Sequence, residues 1–125
     1  MTAIRSLLSV VDDDESIRES LPDLLKELGF AARAFSSAEE FLASDAVEQT
    51  RCLILDVAMP GMSGPELQKE LTLRQMPIPI VYITANRRDQ TIHSDLLARG
   101  ATACLLKPFS DADLLEALNA ALGPS

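Results

Sequence analysis

The chain alternates short apolar runs with longer segments in which hydrophobic residues recur at helical spacing. The short runs are predicted to be strands. Three of them are apolar on both faces, as a parallel sheet covered by helices requires. The predicted strands are Ser6–Val11, Ala31–Phe35, Arg51–Val57, Ile80–Thr84 and Ala103–Leu106. Because a helical segment follows each run, the pattern predicts one doubly wound α/β domain that occupies residues 1–125.

The helical segments begin at recognisable caps. Ser37 and Ser63 each stand three residues before a glutamate, which predicts capping boxes. Asp12–Asp14 precede the first helical segment and Ser110 precedes the last one, and both are favourable N-cap chemistry. The predicted helices run from about Glu15 to Leu28, from Ser37 through Leu42, from Ser63 to about Arg74, from about Asp89 to Arg99 and from Ser110 to about Leu122.

Composition limits the classes of function. Lys and Arg number 11 against 19 Asp and Glu, and the resulting net charge of -8 disfavours autonomous nucleic-acid binding. The apolar runs fall far short of the roughly 20 residues of a membrane span, and no secretory signal pattern opens the chain, so a cytoplasmic protein is expected. Cys52 and Cys104 lie in apolar runs without metal-ligand spacing. We expect them to be buried and reduced rather than a disulfide or metal pair.

Reactive side chains stand at the carboxyl ends of the predicted strands, where open parallel sheets bind ligands. Asp12–Asp14 follow the first strand, Asp56 ends an apolar run, Thr84 ends the fourth strand and Lys107 follows the fifth. If the carboxylates converge, each like-charge pair at about 4 Å costs about 4 kcal/mol at an effective dielectric near 20. The site must then hold a proton or a cation. Oxygen donors without His or Cys favour Mg²⁺.

A carboxylate beside Mg²⁺, a hydroxyl and an ammonium can accept a phosphoryl group. Each residue also has a structural explanation. Asp12–Asp14 could cap the first helix, Lys107 could be a solvated loop cation, and Thr84 could be a strand-end hydroxyl. Asp56 is the exception, because an acid that ends an apolar strand is costly unless it is paired. Since these groups stand at different strand ends, we interpret them together as one site.

The ordered set resembles the receiver domain of bacterial two-component response regulators over nearly the whole chain. The matching segments are Val10–Asp13, Asp56 with Met59–Gly61 and Ser63–Gly64, Thr84–Ala85, and Lys107–Phe109. The resemblance implies a flavodoxin-like three-layer sandwich with five helices, whose five-stranded parallel sheet has the order 2-1-3-4-5, as in a chemotaxis receiver. Receivers that precede a LuxR-type helix-turn-helix domain are the most similar.

The resemblance also implies a set of roles. Asp56 would be the phosphoacceptor, loaded by a sensor histidine kinase or a small phosphodonor. Asp13 would bind Mg²⁺ directly and Asp12 through water, the backbone carbonyl of Ala58 would be a further ligand, and Mn²⁺ could substitute. The chain would not be an enzyme in the usual sense, because it would catalyse only its own phosphoryl transfer and dephosphorylation.

In the same way, Thr84 would hydrogen-bond the phosphoryl group and move on activation. Lys107 would pair with Asp56 and then with a phosphoryl oxygen, and its peptide bond to the next proline is cis in the family. Two positions depart from the family pattern. Cys104 replaces the usual aromatic switch residue, so we expect the signal to travel by backbone and loop movement around Thr84–Arg88. Ala58 offers no polar side chain over the acceptor, and we expect an altered phosphoryl lifetime.

The predicted function is a phosphorylation-dependent switch that exposes a surface on the fourth helix, fifth strand and fifth helix. Ile92, Leu96 and Leu97 lie near that face, although core packing explains them equally well. A homodimer could form there, and DNA would be reached only through an output domain absent from this chain. We expect the chain to be a fragment of a transcription regulator, with a stand-alone receiver as the alternative.

Two other classes of function remain open. An aspartyl-phosphate phosphohydrolase of the haloacid-dehalogenase kind also uses an Asp at a strand end, but it has a second Asp where this chain has Ala58. A phosphorylation-independent interaction module is the other alternative, and the presence of the full acidic and basic set argues against it.

Overall fold

The strands form one parallel sheet, as the apolar runs predict. The computed structural model describes residues 6–85 and 90–123, and for residues 90–93 it describes the backbone alone. The strands are β1 (Leu7–Val11), β2 (Ala31–Phe35), β3 (Thr50–Asp56), β4 (Ile80–Thr84) and β5 (Ala103–Leu106). Their order in the sheet is β2-β1-β3-β4-β5, with parallel pairing throughout. The flavodoxin-like fold class is therefore confirmed.

A helix follows each strand in the described part of the chain. The helices are α1 (Glu15–Glu27), α2 (Ala38–Leu42), α3 (Gly64–Leu73), α4 (Gln90–Ala98) and α5 (Asp111–Leu122). None of these helices combines the length and the apolar character that a membrane crossing needs. The predicted helix start at Asp89 and the loop residues 86–88 lie outside the described residues.

The predicted caps are confirmed, with one difference. The side chains of Asp14, Ser37, Ser63 and Ser110 each accept a backbone N–H from the first turn of their helix. The full capping box forms at Ser63, where Glu66 also bonds back to the cap. At Ser37 the box is only half formed, because the Glu40 carboxylate accepts the Ser36 hydroxyl at 2.8 Å instead.

The third strand begins one residue earlier than the apolar pattern predicts. Thr50 is buried and pairs with Leu7 of β1. Its hydroxyl bonds the Ser9 hydroxyl and the Ala46 carbonyl, each at 2.7 Å. Because a buried hydroxyl with satisfied hydrogen bonds costs little, a polar residue can open this buried strand.

The core divides into two apolar clusters, one on each face of the sheet. The α1/α5 face is the cluster built on Leu21, Leu25, Leu114 and Leu118, with strand residues below them. The α2/α3/α4 face is the cluster built by the other helices, and its buried members include Phe35, Phe41, Leu67, Leu71, Tyr82 and Leu96. Covering both faces of a parallel sheet is what its apolar strands require.

The two cysteines are free, as expected. Cys52 is fully buried, whereas Cys104 is only partly buried because it lies on β5, at the edge of the sheet. The three apolar residues predicted near the output face differ in burial. Leu96 is buried in the core, Leu97 is 46% exposed, and the side chain of Ile92 lies outside the described residues.

Candidate functional site

The sheet brings the predicted residues together at one edge. Asp12 follows β1 directly, Asp56 is the last residue of β3, Thr84 is the last residue of β4, and Lys107 follows β5. The backbone N–H of Lys107 donates to the Thr84 carbonyl at 2.8 Å, which joins the last two strand ends. Residues far apart in the chain therefore meet because parallel strands place their carboxyl ends at the same edge.

Three carboxylates form the centre of this site. Asp12, Asp13 and Asp56 each place one oxygen within 4.8 Å of the other two. Asp12 and Asp56 are buried, whereas Asp13 is exposed and faces solvent from the rim. Asp14 is exposed too, and its Oδ1 caps α1 by accepting the Ser16 N–H at 2.9 Å. The acidic run thus separates into a three-carboxylate cluster and a helix cap.

Lys107 lies nearer to Asp12 than to the predicted partner Asp56. Its Nζ is 2.7 Å from Asp12 Oδ2 and 3.9 Å from Asp56 Oδ1. The reason is competition between two carboxylates for one ammonium, since Asp12 has no exposed surface and Asp56 keeps some contact with solvent. A buried charge gains most from a cation, because it has the least water to replace it.

The two oxygens of the Asp12 carboxylate have different partners. Its Oδ1 accepts the Asp14 N–H at 2.9 Å. Its Oδ2 is buried and lies 2.7 Å from the Lys107 ammonium, which is its charged partner in the described part of the chain. A lone pair on Oδ2 remains open to a cation or a water.

The pKa of Asp56 is raised to about 7 by the loss of solvent on burial and then by the neighbouring charge of Asp12. The Lys107 ammonium opposes this shift. Such a carboxyl is partly protonated at neutral pH unless a second cation joins the cluster. Burial combined with a like charge is a typical source of raised carboxyl pKa values at functional sites.

The loop after β3 packs tightly against the site. A Cβ on Gly64 would lie 2.5 Å from the Asp56 backbone oxygen and 2.9 Å from the Tyr82 ring. Only glycine fits at this position, because the backbone at the start of α3 packs directly against the backbone at the end of β3. Gly61 has a φ of 75°, and a Cβ there would meet the carboxylate of Glu39 at 2.7 Å. Ala58, between them and Asp56, is exposed.

The donor set fits a hard divalent cation. The cluster offers three carboxylates and no His or Cys, which suits Mg²⁺ better than a softer metal. The raised pKa of Asp56 indicates that the Lys107 ammonium alone does not offset the charge of the neighbouring carboxylates. We therefore consider Asp12, Asp13 and Asp56 the residues that could hold the ion.

Several contacts of the site were missed at the sequence level. The Arg18 guanidinium donates to the backbone carbonyl of Asp12 at 3.1 Å. Glu39 of α2 accepts the Met62 N–H at 3.3 Å and so steadies the loop after β3. The position of Arg18 on the first turns of α1 is a weak signal, because that turn follows the acidic run. No local pattern connects Glu39 with Met62.

Comparisons with known proteins agree with this geometry. Residues 8–119 match the family described as "Response regulator receiver domain". Nodulation protein W of Bradyrhizobium diazoefficiens is 41% identical over 117 residues, which are 94% of this chain and 51% of that protein. Transcriptional regulatory protein TdiR of Thauera aromatica is 39% identical over 97% of this chain and 53% of its own length. The chain thus spans about half the length of these curated relatives.

Solved structures give the same answer for the fold. The crystal structure of FixJ-N is 35% identical, has a TM-score of 0.82 and is covered over 95% of its length by 98% of this chain. The response regulator StyR is 44% identical with a TM-score of 0.83, and 94% of this chain covers 59% of that structure.

In the described residues, the bond between Lys107 and Pro108 is cis, as the resemblance implies.

Proposed function

The chain belongs to the response regulator receiver domain family, and from this premise we propose that it is a two-component signalling switch that accepts a phosphoryl group on Asp56. The observation that carries the proposal is the convergence at Asp56. Its carboxylate ends an apolar strand, has two other aspartate oxygens within 4.8 Å, and has the Lys107 ammonium 3.9 Å away. Such an arrangement suits phosphoryl transfer, in which catalysis is mostly positioning and charge neutralisation.

In the proposed reaction, an ionised Asp56 oxygen attacks the phosphorus of a phosphohistidine on the kinase. The new P–O bond forms as the P–N bond breaks, and the imidazole leaves with the electron pair. Bound Mg²⁺, held by Asp12, Asp13, Asp56 and the carbonyl of Ala58, would neutralise charge on the transferring oxygens, and Mn²⁺ could substitute. Because the pKa of Asp56 is raised in the free site, this carboxyl must lose its proton before it can attack.

Lys107 supplies the cation that this chain itself contributes. We infer that its ammonium leaves Asp12 and bonds a phosphoryl oxygen once Asp56 is loaded, a small displacement given that Asp56 Oδ1 is already 3.9 Å away. Thr84 is buried at the end of β4, and we assign its hydroxyl to the phosphoryl group as well. Because Lys107 N–H already bonds the Thr84 carbonyl, the two residues would respond together.

The phosphoryl donor needs a surface beside the site, and an apolar groove offers one. This groove, of about 300 Å³, lies between α1 and the segment after β5. Its lining residues are Ile17, Ser20, Leu21, Leu24, Lys107, Pro108 and Phe109. We assign to it an amphipathic helix of a sensor histidine kinase, because Lys107 belongs both to the groove and to the phosphoacceptor site.

The proposed output surface is the outer face of α4, β5 and α5. Leu97 of α4 and Leu106 of β5 are exposed at 46% and 38%, which suits contact with a second copy of the chain after phosphorylation. TdiR is named a transcriptional regulatory protein, so we propose a DNA-binding output domain in the whole protein. We also propose that the protein acts in the cytoplasm and turns over no substrate other than its own phosphoryl group.

Incubation with Mg²⁺ and a small acyl phosphate tests the proposal. Intact-mass measurement should show one added phosphoryl group that Asp56→Asn abolishes. Asp14→Asn is the matched control, because it makes the same chemical change in a side chain that caps α1 and leaves the backbone bond to Asp12 in place, and it should retain the modification. Steady release of phosphate from phosphomonoesters would indicate the phosphohydrolase instead. No modification and no turnover would indicate a phosphorylation-independent interaction module.

A further inference from the structure

The family's switch aromatic is missing from β5, but a buried aromatic stands beside its position. Tyr82 of β4 pairs in register with Cys104 of β5, and both side chains belong to the α2/α3/α4 face. Tyr82 is fully buried, and it is the only tyrosine in a chain that has no tryptophan. It lies two residues before Thr84, so along β4 the two side chains point to the same face of the sheet.

The hydroxyl of Tyr82 begins a chain of hydrogen bonds that joins three elements. It donates to Gln68 Oε1 of α3 at 2.7 Å. The Gln68 amide in turn donates through Nε2 to the backbone carbonyl of Arg99 at 3.2 Å, directly after α4. We call this chain the Tyr82–Gln68–Arg99 link. It ties the middle of β4 and the end of α4 to one side chain of α3.

The Tyr82 ring also packs against Gly64, the residue that lies on the backbone of Asp56. Gly64, at the start of α3, fits between the ring and the backbone oxygen of Asp56 with no room for a Cβ. A shift of Gly64 relative to Asp56 would therefore change the packing of the ring. Burial raises the pKa of the phenol, with Arg99 opposing the shift, so the hydroxyl stays protonated and remains a donor. One buried side chain thus packs against the segment beside Asp56 and hydrogen-bonds the α3 side chain that reaches the end of α4.

The pairing of Lys107 is the basis on which we assign the link to the unphosphorylated arrangement. Lys107 Nζ is paired with Asp12 here, whereas in the loaded form it would lie on a phosphoryl oxygen. We propose that the Tyr82–Gln68–Arg99 link restrains the end of α4 in the unphosphorylated form, so that Tyr82 couples Asp56 to α4 in place of an aromatic at position 104. The inference rests on the proposed function, because it concerns how the same site is read out.

A restraint that favours one state must oppose any ligand that favours the other. By linkage, deleting it strengthens the binding of that ligand by the same factor. Tyr82→Phe removes only the hydroxyl and keeps the packing against Gly64. Since one hydrogen bond contributes on the order of 1 kcal/mol, we expect this variant to bind the beryllium fluoride anion, a phosphoryl analogue, about three- to tenfold more tightly in Mg²⁺.

The experiment measures that affinity by fluorine NMR in wild type, Tyr82→Phe and Gln68→Leu, together with amide exchange in α4. Both variants should bind the analogue more tightly, and α4 should exchange faster before it is added. Thr72→Val is the matched control. It deletes another hydroxyl of α3, which bonds the Gln68 backbone carbonyl at 3.0 Å and has no part in the link. Its affinity should equal that of wild type.

The outcomes separate the two proposals. If wild type binds the analogue and both variants bind it with unchanged or weaker affinity, the link has only a structural role and the inference is wrong. If wild type binds no analogue and takes up no phosphoryl group on Asp56, the proposed function fails and the coupling fails with it. In wild type, fluorescence reports on Tyr82 alone, and it should change on addition of Mg²⁺ and beryllium fluoride but not in Asp56→Asn.

Discussion

The two faces of the sheet are packed by different kinds of side chain. On the α1/α5 face, the buried residues are aliphatic apart from Cys52, and none of those described carries an aromatic ring. The α2/α3/α4 face buries Phe35, Phe41, Tyr82 and Met59. Phe35 and Phe41 meet edge to face with their centroids 5.4 Å apart. The α1/α5 face thus has no ring among its fully buried residues, although Phe30 and Phe109 pack against it partly buried, whereas the other face buries rings among its aliphatic residues.

The difference indicates that the two faces have different roles, one in supporting the site and one in connecting it with α3 and α4. Interdigitated aliphatic side chains fill space densely and resist displacement, so the α1/α5 face can serve as a fixed support for Asp12 and the β5 end. The other face contains the hydroxyl of Tyr82 and the close packing at Gly64, which connect the site with α3 and the end of α4. Polar contacts with alternative partners are more easily exchanged than packed methyl groups. The predictions below test this division.

The largest effect is expected at Gly64. Gly64→Val should lower the free energy of unfolding by about 3 kcal/mol or more, because its Cβ would collide with the backbone of Asp56 rather than with a flexible side chain. Urea unfolding measures this, and Mg²⁺ binding should weaken in parallel. The contrast is Gly29→Ala, where φ is 100° but nothing lies within 4 Å, so backbone strain alone should cost about 1 kcal/mol. Equal costs would contradict the close-packing argument.

A core deletion on the α1/α5 face should separate stability from signalling. Leu114→Ala removes a fully buried side chain and should cost about 2–4 kcal/mol in urea unfolding. Under conditions where it remains folded, its affinity for beryllium fluoride should match that of wild type. Leu115→Ala, on the exposed side of the same helix, is the control and should change stability by less than about 1 kcal/mol. A changed analogue affinity in Leu114→Ala would mean that this face takes part in the switch.

Asp56 should make the metal-free protein less stable as pH rises. Its folded pKa is about 7, above the ordinary 3.8, so the folded state retains a proton that the unfolded state loses. Stability from this residue is therefore fully present below about pH 4, falls as pH rises through 7 and then stays low. Asp56→Asn should flatten that profile and be more stable than wild type at pH 8, by on the order of 1–2 kcal/mol.

Thermal unfolding in a chelator, at pH values from 4 to 8, checks the sign. Saturating Mg²⁺ should reverse the order of the two proteins at pH 8, since only wild type keeps the third carboxylate. Wild-type stability that rises between pH 4 and 7 relative to the Asn variant would show that Asp56 ionises without penalty.

The smallest effect is expected at Ala58, which is exposed two residues after Asp56, the proposed acceptor. Ala58→Asn should change the rate of dephosphorylation a few-fold without altering the rate of loading, because a polar group there borders the path of the attacking water. Single-turnover loss of the phosphoryl group measures both proteins side by side. Equal rates would remove the idea that the missing polar side chain sets the phosphoryl lifetime.

The sequence determined the architecture and which reactive residues meet at one edge of the sheet. Apolar runs bounded by caps and glycines predicted each strand and helix within one or two residues, because burial on both faces leaves a continuous local pattern. Asp56 was recognisable for the same reason, as an acid that an apolar strand does not tolerate without partners. Asp12, Thr84 and Lys107 then followed from the rule that parallel strands end at one edge.

Only the tertiary packing decided which ion pairs and hydrogen bonds those residues form. Lys107 lies on Asp12 rather than on Asp56, because two carboxylates compete for one ammonium and the more buried one gains more. The positions of α3 and α4 on the sheet also decide two other sets of contacts. They bring Gly64 against Asp56, and they allow the hydrogen bonds from Tyr82 through Gln68 to Arg99. Periodicity records only whether a position is buried. Which atoms meet is set by distances between elements that no local pattern encodes.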